Sequence, residues 1–271
     1  MPELPEVETT RRGIEPHLLG HSFTGAVVRQ RQLRWPVPAR LNSLIKNKTI
    51  KSVDRRGKYI IIRLEDGALL LHLGMSGSLR VIEQDAQAQK HDHVDLLIDN
   101  NKCIRLHDPR RFGSIHWIKG DPEQHKLLCD LGPEPLEENF KPELLFSRSR
   151  KRKLAVKLFI MDSKTVVGVG NIYASEALFK AGIRPGKAAG RVSRAEYEKL
   201  YLAIKQILTQ AIKAGGTTLQ DFTNSEGKPG YFKQELSVYG RADEPCLICN
   251  SKIKQITMGQ RSTFYCPQCQ K

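Results

Sequence analysis

The second and third residues of the chain are a proline and a glutamate, in the run Met1-Pro2-Glu3-Leu4-Pro5-Glu6. With Met1 removed, the first atom is a secondary amine, and since an α-amino group titrates near pH ~8 a useful fraction is unprotonated at neutrality. A secondary amine that attacks a sugar C1′ gives an iminium with a fixed positive charge, an electron sink for later C–O cleavage. A neighbouring carboxyl group can move the protons, and Glu3 and Glu6 are both candidates. The chemistry these residue types suggest is base excision followed by lyase steps. The same prolines also suit the first turn of a helix, so other segments must decide between the two readings.

Four of the six cysteines have metal-ligand spacing. Cys246-x2-Cys249 and Cys266-x2-Cys269 stand sixteen residues apart, the two-knuckle pattern of a four-thiolate zinc site. Four sulfurs leave no open position for water, so the zinc is expected to be structural. Between the pairs, Ile253, Ile256, Thr263, Phe264 and Tyr265 flank Met258-Gly259-Gln260, which predicts a β-hairpin. Arg261 then sits at its tip, able to reach phosphate if the hairpin lies in a groove. Cys103 and Cys129 lie in apolar contexts and are expected to be buried structural thiols.

The charge names a class of partner. With 44 Lys and Arg against 29 Asp and Glu, the 271 residues carry a formal +15, which predicts attraction to a polyanion, nucleic acid first. No apolar run approaches the roughly 18 residues of a spanning helix. Three glutamates fall in the first ten residues in place of a basic-then-apolar leader, so the expected location is the cytoplasm and no membrane partner is expected.

Several further segments suit a DNA backbone or base stack. Gly168-Val169-Gly170-Asn171 precedes a helical pattern, and a glycine turn at a helix N-terminus suits a phosphate. Residues 147–164 carry Arg148, Arg150, Lys151, Arg152, Lys153, Lys157 and Lys164 against Asp162 alone. Lys58 reads as a strand residue after Gly57. Gly74-Met75-Ser76-Gly77, after His72, and Asp108-Pro109-Arg110-Arg111-Phe112-Gly113 read as loops with an apolar tip. Such tips serve as wedges that enter the stack when a base is swung out. The polar, glycine-bearing stretch from Thr217 to Lys233 reads as a linker or as a lid over the flipped base.

These residues need elements to hold them. Val7, Arg11 and Ile14 have helical spacing, with Glu6 and Glu8 near the positive end of that helix. Residues 20–118 read as strands, with hairpin turns at Glu65-Asp66-Gly67 and Asp99-Asn100-Asn101, and a two-layer antiparallel sandwich follows. Leu154, Leu158 and Met161 form an apolar stripe; Ser193-x-x-Glu196 is a capping box opening a helix that runs to Gly215-Gly216. The expected class is α+β. Its expected parts are a sandwich with its N-terminal helix (1–131), a connection (132–149), a helical DNA-binding region (150–240) carrying the loop at 215–233, and a zinc finger (241–271).

Taken together the chain resembles the bacterial formamidopyrimidine-DNA glycosylases. The segments that carry the likeness are PELPEVET at residues 2–9, RRGKY at 55–59, HLGMSG at 72–77, KHDHVD at 90–95, DPRRFG at 108–113, VGVGNIYASE at 167–176, GGTTLQDF at 215–222, GKPGYF at 227–232, and the terminal four-cysteine finger. The resemblance implies a β-sandwich, a helix-two-turn-helix domain and a zinc finger, acting as a monomer on damaged double-stranded DNA. It implies excision of 8-oxoguanine and formamidopyrimidines, then strand cleavage by beta- and delta-elimination. Pro2 would be the Schiff-base nucleophile and Glu3 the acid that protonates the opening sugar. Lys58 would bind phosphate and donate a proton, and Arg261, with Asn171, would clamp the phosphates flanking the flipped nucleotide. Arg261 would also serve the second elimination. His72, His91, Arg110 and Arg152 match DNA contacts, and Met75, Arg110 and Phe112 match the group that fills the vacated stack and probes the orphaned cytosine.

Two other readings stay open at this stage. An endonuclease VIII type of relative shares Pro2-Glu3 but prefers oxidised pyrimidines; the PELPEV start and the DPRRFG segment favour the purine branch. A non-catalytic zinc-containing DNA-binding module explains the charge and the cysteines and leaves Pro2-Glu3 unexplained.

Overall fold

The computed structural model describes residues 2–216 and 236–271, so the segment expected to cap the lesion, from Thr217 onward, lies outside the described residues. The chain divides into two compact units. One comprises residues up to Cys129 with a short stretch from Ala214, and the other Asp130–Lys213 with the C-terminal residues to Lys271.

The first unit is the expected sandwich. Helix α1 (Leu4–Leu18) is followed by β1 (Ser22–Val28), the short α2 (Leu41–Ile45), β2 (Lys48–Thr49), β3 (Ser52–Arg56), β4 (Tyr59–Arg63), β5 (Gly67–His72), β6 (Ser78–Glu83), β7 (Asp92–Ile98), β8 (Lys102–His107) and β9 (Ser114–Lys119). Five strands pair in the order β2-β1-β7-β8-β6 and four in the order β3-β4-β5-β9, with every pairing antiparallel. Alternation along the strands turns Ile60, Ile62, Leu69 and Leu71 of one sheet toward Val94, Leu96, Ile104 and Leu106 of the other, forming one apolar core. Helix α1 adds Val7, Ile14 and Leu18 to that core and packs on β3, β4 and β6, so it touches both sheets.

Strand register decides where the loops go. Tyr59 pairs with His72 and His72 with Ser114; in the other sheet Ser78 and Asp92 both pair with His107. The β3–β4 turn, the 73–77 loop, the turn before β7 and the 108–113 loop therefore all leave the strands at one end of the sandwich. That end carries Lys58, His72, Met75, His91, Arg110 and Phe112. Two residues depart from expectation here. Lys58 is not in a strand: Gly57 (φ +57°) and Lys58 make the two-residue turn between β3 and β4, with glycine at the first central position, where a hairpin turn favours it. Cys103 is buried as expected, but Cys129 is exposed, because it falls where the chain leaves the first unit.

The second unit is helical with a terminal hairpin: α3 (Pro142–Ser149), α4 (Val156–Met161), α5 (Asn171–Lys180), α6 (Arg194–Lys213), β10 (Lys254–Met258) and β11 (Arg261–Tyr265). Helical structure begins at Pro142, close to residue 143 where the sequence turns to a helical period. Helix α3 lies within the stretch read as a connection and packs on α6, with Leu145 in the helical core. The stripe expected at Leu154, Leu158 and Met161 is also corrected. Leu154 is exposed and precedes α4, whose buried side chains are Val156, Lys157, Phe159 and Ile160. A helix of six residues makes fewer than two turns, too few for periodicity to define a face. The capping box on α6 is present: Ser193 Oγ accepts from the Glu196 N–H at 3.2 Å, and Glu196 Oε2 from the Ser193 N–H at 2.8 Å. No described helix is long and apolar enough to cross a membrane.

Candidate functional site

At the start of α1, Glu3 is the N-cap and Pro5 lies in the first turn. The Glu3 N–H donates to Glu6 Oε2 at 2.8 Å, half of a reciprocal cap that ties the two acids together. Pro2 is buried, Glu3 is 2% exposed and Glu6 is fully enclosed. Both carboxylates stand where the helix dipole is positive. Glu6 spends an oxygen on the Glu3 backbone, which gives it a positioning task, while Glu3 is the acid adjoining Pro2.

One turn later, Glu8 links this helix to Lys58. Its carboxylate accepts from Arg12 Nε at 2.7 Å, from Arg11, and from Arg55 Nε at 3.0 Å. Burial opposes its ionisation, but these guanidinium groups hold it below the usual carboxylate range. Arg55 also donates to the Gly57 carbonyl at 2.9 Å. A single arginine thus spans from α1 to the turn that carries Lys58. Sequence spacing missed Glu8 and Arg55, which stand 47 residues apart; the signal was RRGKY itself, a charged run just before a glycine turn.

The two loops read as wedges are locked to each other. Ser76 Oγ donates to Asp108 Oδ1 at 3.0 Å, the Gly113 N–H to Asp108 Oδ2 at 2.7 Å, and the Arg110 N–H to Ser76 Oγ at 3.3 Å. Asp108 is fully buried, so its carboxylate organises both loops and leaves the tips outside. Phe112 is 42% exposed, the Arg110 guanidinium lies over its ring at 5.1 Å, and Met75 is half-buried. Gly74 (φ +65°) backs onto this junction, where an added Cβ would meet the Phe112 backbone at 2.3 Å. Gly74→Ala is therefore expected to lower stability by about 1–3 kcal/mol, through strain at positive φ together with the clash. A urea melt checks this; an unchanged midpoint would mean the loops are not packed as described.

His72 lies beneath these loops. Its Nδ1 accepts the Gly74 N–H at 3.0 Å, which leaves Nε2 as the protonated nitrogen, and its ring packs on Tyr59 at 4.8 Å. Burial, then the charges of Lys58, Arg34 and His116, push it down to about 4. It is a neutral donor at physiological pH. His91 sits on the turn before β7 at φ +76°, with its carbonyl accepting the Asp108 N–H at 3.0 Å. The 108–113 loop and the His91 turn are thus joined.

In the second unit the basic run divides into inward and outward members. Lys157 is fully buried, with Nζ donating to Asn171 Oδ1 at 2.6 Å and Thr263 Oγ1 at 2.7 Å. Asn171, the first residue of α5, donates in turn to the Ser262 carbonyl at 2.9 Å. This triangle joins α4, the start of α5 and β11 beside Arg261. Arg150 is occupied by the carbonyls of Phe146, Ala189 and Val192, and Arg148 by that of Lys164 at 2.7 Å. Lys151, Arg152 and Lys153 remain exposed on the α3–α4 connection. Arg261 is exposed at the first position of β11, opposite Met258.

The four cysteines converge. Their sulfurs all lie within 4.8 Å of one another, with Cys246–Cys269 at 3.9 Å and Cys249–Cys266 at 3.4 Å. A tetrahedral ion with Zn–S bonds of about 2.3 Å needs edges of about 3.8 Å, so the set fits one structural zinc. Phe179, Val238, Ile253 and Phe264 pack around it. Glu176 of α5 adds a further clamp that sequence reading missed, accepting the N–H groups of Ser237, Val238 and Tyr239 at 2.8 to 3.0 Å.

Known proteins share this whole arrangement. Residues 1–115 match the formamidopyrimidine-DNA glycosylase N-terminal domain, 131–223 the H2TH domain of the same proteins, and 243–271 a zinc finger found in FPG and IleRS. Formamidopyrimidine-DNA glycosylases of Thioalkalivibrio sulfidiphilus and Alcanivorax borkumensis are 57% and 58% identical over 271 residues, covering all of both chains. Among solved structures, MutM (Fpg) of Thermus thermophilus is 36% identical with a TM-score of 0.88, over 99% of this chain and 98% of that one. Lactococcus lactis Fpg bound to abasic-site DNA is 34% identical with a TM-score of 0.91, over 99% of each chain. The chain belongs to the formamidopyrimidine-DNA glycosylase family.

Proposed function

We propose that the protein is a bifunctional DNA repair enzyme that excises oxidised purines, 8-oxoguanine and formamidopyrimidines, from duplex DNA and then cleaves the strand at the abasic site. The observation that carries this reading is the N-terminus of α1, where Pro2 adjoins a buried acid, Glu3, and Arg55 ties the same helix to the Lys58 turn.

The Pro2 amine gives its lone pair to C1′ while Glu3 protonates the opening sugar, and the base departs with the electrons of its glycosidic bond. The resulting iminium draws the electrons left by loss of a C2′ proton, and the C3′–O bond breaks. Lys58 and His72 meet the phosphate at the lesion, the former as a cation and the latter as a neutral N–H donor. Arg152, Asn171 and Arg261 hold the backbone, with Arg261 also serving the second elimination. Zinc supplies no chemistry here; it fixes the hairpin that presents Arg261. Chromosomal DNA as substrate puts the work on the nucleoid, in the bacterial cytoplasm. Borohydride trapping on a duplex containing 8-oxoguanine tests the reading: a covalent adduct is expected, and tight binding without one would leave only a DNA-binding module. An oxidised pyrimidine processed faster than 8-oxoguanine would favour the endonuclease VIII reading.

Met75, Arg110 and Phe112 fill the vacated stack in this scheme. Phe112→Ala is expected to slow excision from intact duplex far more than processing of a preformed abasic site, since only excision must overcome unstacking worth a few kcal/mol. Arg110→Ala is expected to flatten the preference for cytosine opposite the lesion by about 1–3 kcal/mol. Rates on 8-oxoguanine duplex and on a preformed abasic site check the first, and rates opposite cytosine and opposite adenine check the second; an unchanged ratio for Arg110→Ala would remove it from base reading.

A further inference from the structure

The end of the sandwich that carries His91 holds a second imidazole, which the scheme above leaves unused. His107, the last residue of β8, donates from Nδ1 to Asp92 Oδ1 at 2.8 Å, and its side chain is 27% exposed. With Nδ1 committed to the carboxylate, Nε2 is the nitrogen left for another partner. The His91 ring stands edge-on to it at 6.0 Å.

Asp92 is built to hold that ring. It is 4% exposed, and it also accepts from the Gln89 N–H at 2.9 Å and from Arg80, with Arg105 at 3.5 Å. Burial opposes its charge, but the Gln89 N–H, His107 and Arg80 keep it ionised below the usual carboxylate range. Asp95 does not compete for His107, being paired with Arg29 and Arg105. His93 is committed to the Asp108 carbonyl at 2.8 Å. Of His91 and His107, only His107 touches a carboxylate among the described residues. Burial, then Lys90, His107, His93 and Arg111, push His91 below its ordinary value, so the site's own charges disfavour an imidazolium at position 91.

We propose that His107, oriented by Asp92, is a further contact to the DNA backbone: its Nε2–H donates a hydrogen bond to a phosphate oxygen beside His91, and the contact is favoured by lower pH. This rests on the reading that this end of the sandwich faces DNA. Because Nδ1–H is spent on Asp92, a neutral ring would offer the phosphate only a lone pair at Nε2, so the contact takes up a proton and weakens as pH rises. Lys90 and Arg111 stay charged throughout and set a constant background.

The test is duplex binding by His107→Asn, which keeps a donor toward Asp92 and removes the titrating nitrogen. With an abasic-analogue duplex at pH 6, the variant is expected to bind about tenfold more weakly, and its log Kd against log salt slope to be shallower by about 0.9, the value for one lost phosphate contact. At pH 8.5 the two proteins are expected to converge. Equal slopes at pH 6, or the same deficit at both pH values, would overturn the proposal, since a merely structural role moves affinity without moving the slope or the pH profile. If the variant does not fold, proton uptake by the wild type on binding, measured calorimetrically in two buffers, replaces it: uptake of a proton supports the contact, and none refutes it. Trapping of the wild type is scored separately, so a missing adduct overturns the glycosylase reading and leaves the histidine result to stand by itself.

Discussion

A protein carrying one additional residue ahead of Pro2 is expected to give no borohydride-trapped adduct and no strand cleavage, a loss of at least about four orders of magnitude in rate. An extra residue converts the Pro2 nitrogen to an amide, whose lone pair is delocalised into a carbonyl and is no longer nucleophilic. Folding is expected to survive, because α1 is held by Val7, Ile14 and Leu18 in the sandwich core and by the Glu3–Glu6 cap, none of which uses the terminal amine. Glu3→Gln separates the two roles at this point. It keeps a polar cap and removes the transferable proton, so base excision is expected to fall while binding to damaged duplex remains. The measurement is single-turnover excision beside binding to an abasic analogue. Full cleavage by the blocked protein would end the amine mechanism, and normal excision by Glu3→Gln would pass the acid's role to another group.

Cys249→Ser is expected to lower zinc from one ion per chain to near none and to weaken DNA binding by about 10- to 100-fold, the worth of a charge-assisted contact of about 1.5–3 kcal/mol. The zinc-binding energy of such a site is folding energy, and its loss frees the hairpin bearing Arg261. The consequence reaches further than the finger. Lys157 has its ammonium buried against Thr263 of β11, so a loosened hairpin leaves a buried cation short of a partner and disturbs Asn171, which shares that lysine. The first unit has no cysteine in the cluster and is expected to keep its own melting transition. Elemental analysis with a binding titration checks this; a zinc-free variant that binds as the wild type does would contradict it.

Signals contained within a few residues specified the hairpins, the metal site and the start of α6. Period-two alternation and the turns at Asp66 and Asn100 specified the hairpins, since strand side chains alternate and such turns tolerate few residue types. The paired C-x2-C spacing specified the metal, and the Ser193–Glu196 pair the start of α6; each is a signal contained within a few residues. Roles that depend on partners far along the chain emerge only once it is folded. Lys157 reads in sequence as one member of a basic run suited to a DNA backbone, yet it is buried because Asn171 and Thr263, 14 and 106 residues away, supply the acceptors that make burial of a cation tolerable. Glu8 and Arg55 gained their bridge to the Lys58 turn only when α1 packed on β3. The stripe read through Leu154 failed because α4 is too short for its period to show. The exposed Cys129 was misread because an apolar neighbourhood in sequence says nothing about where the chain leaves its core. Local periodicity senses neighbours along the chain, whereas the burial of a charge is set by what the fold brings to it from elsewhere.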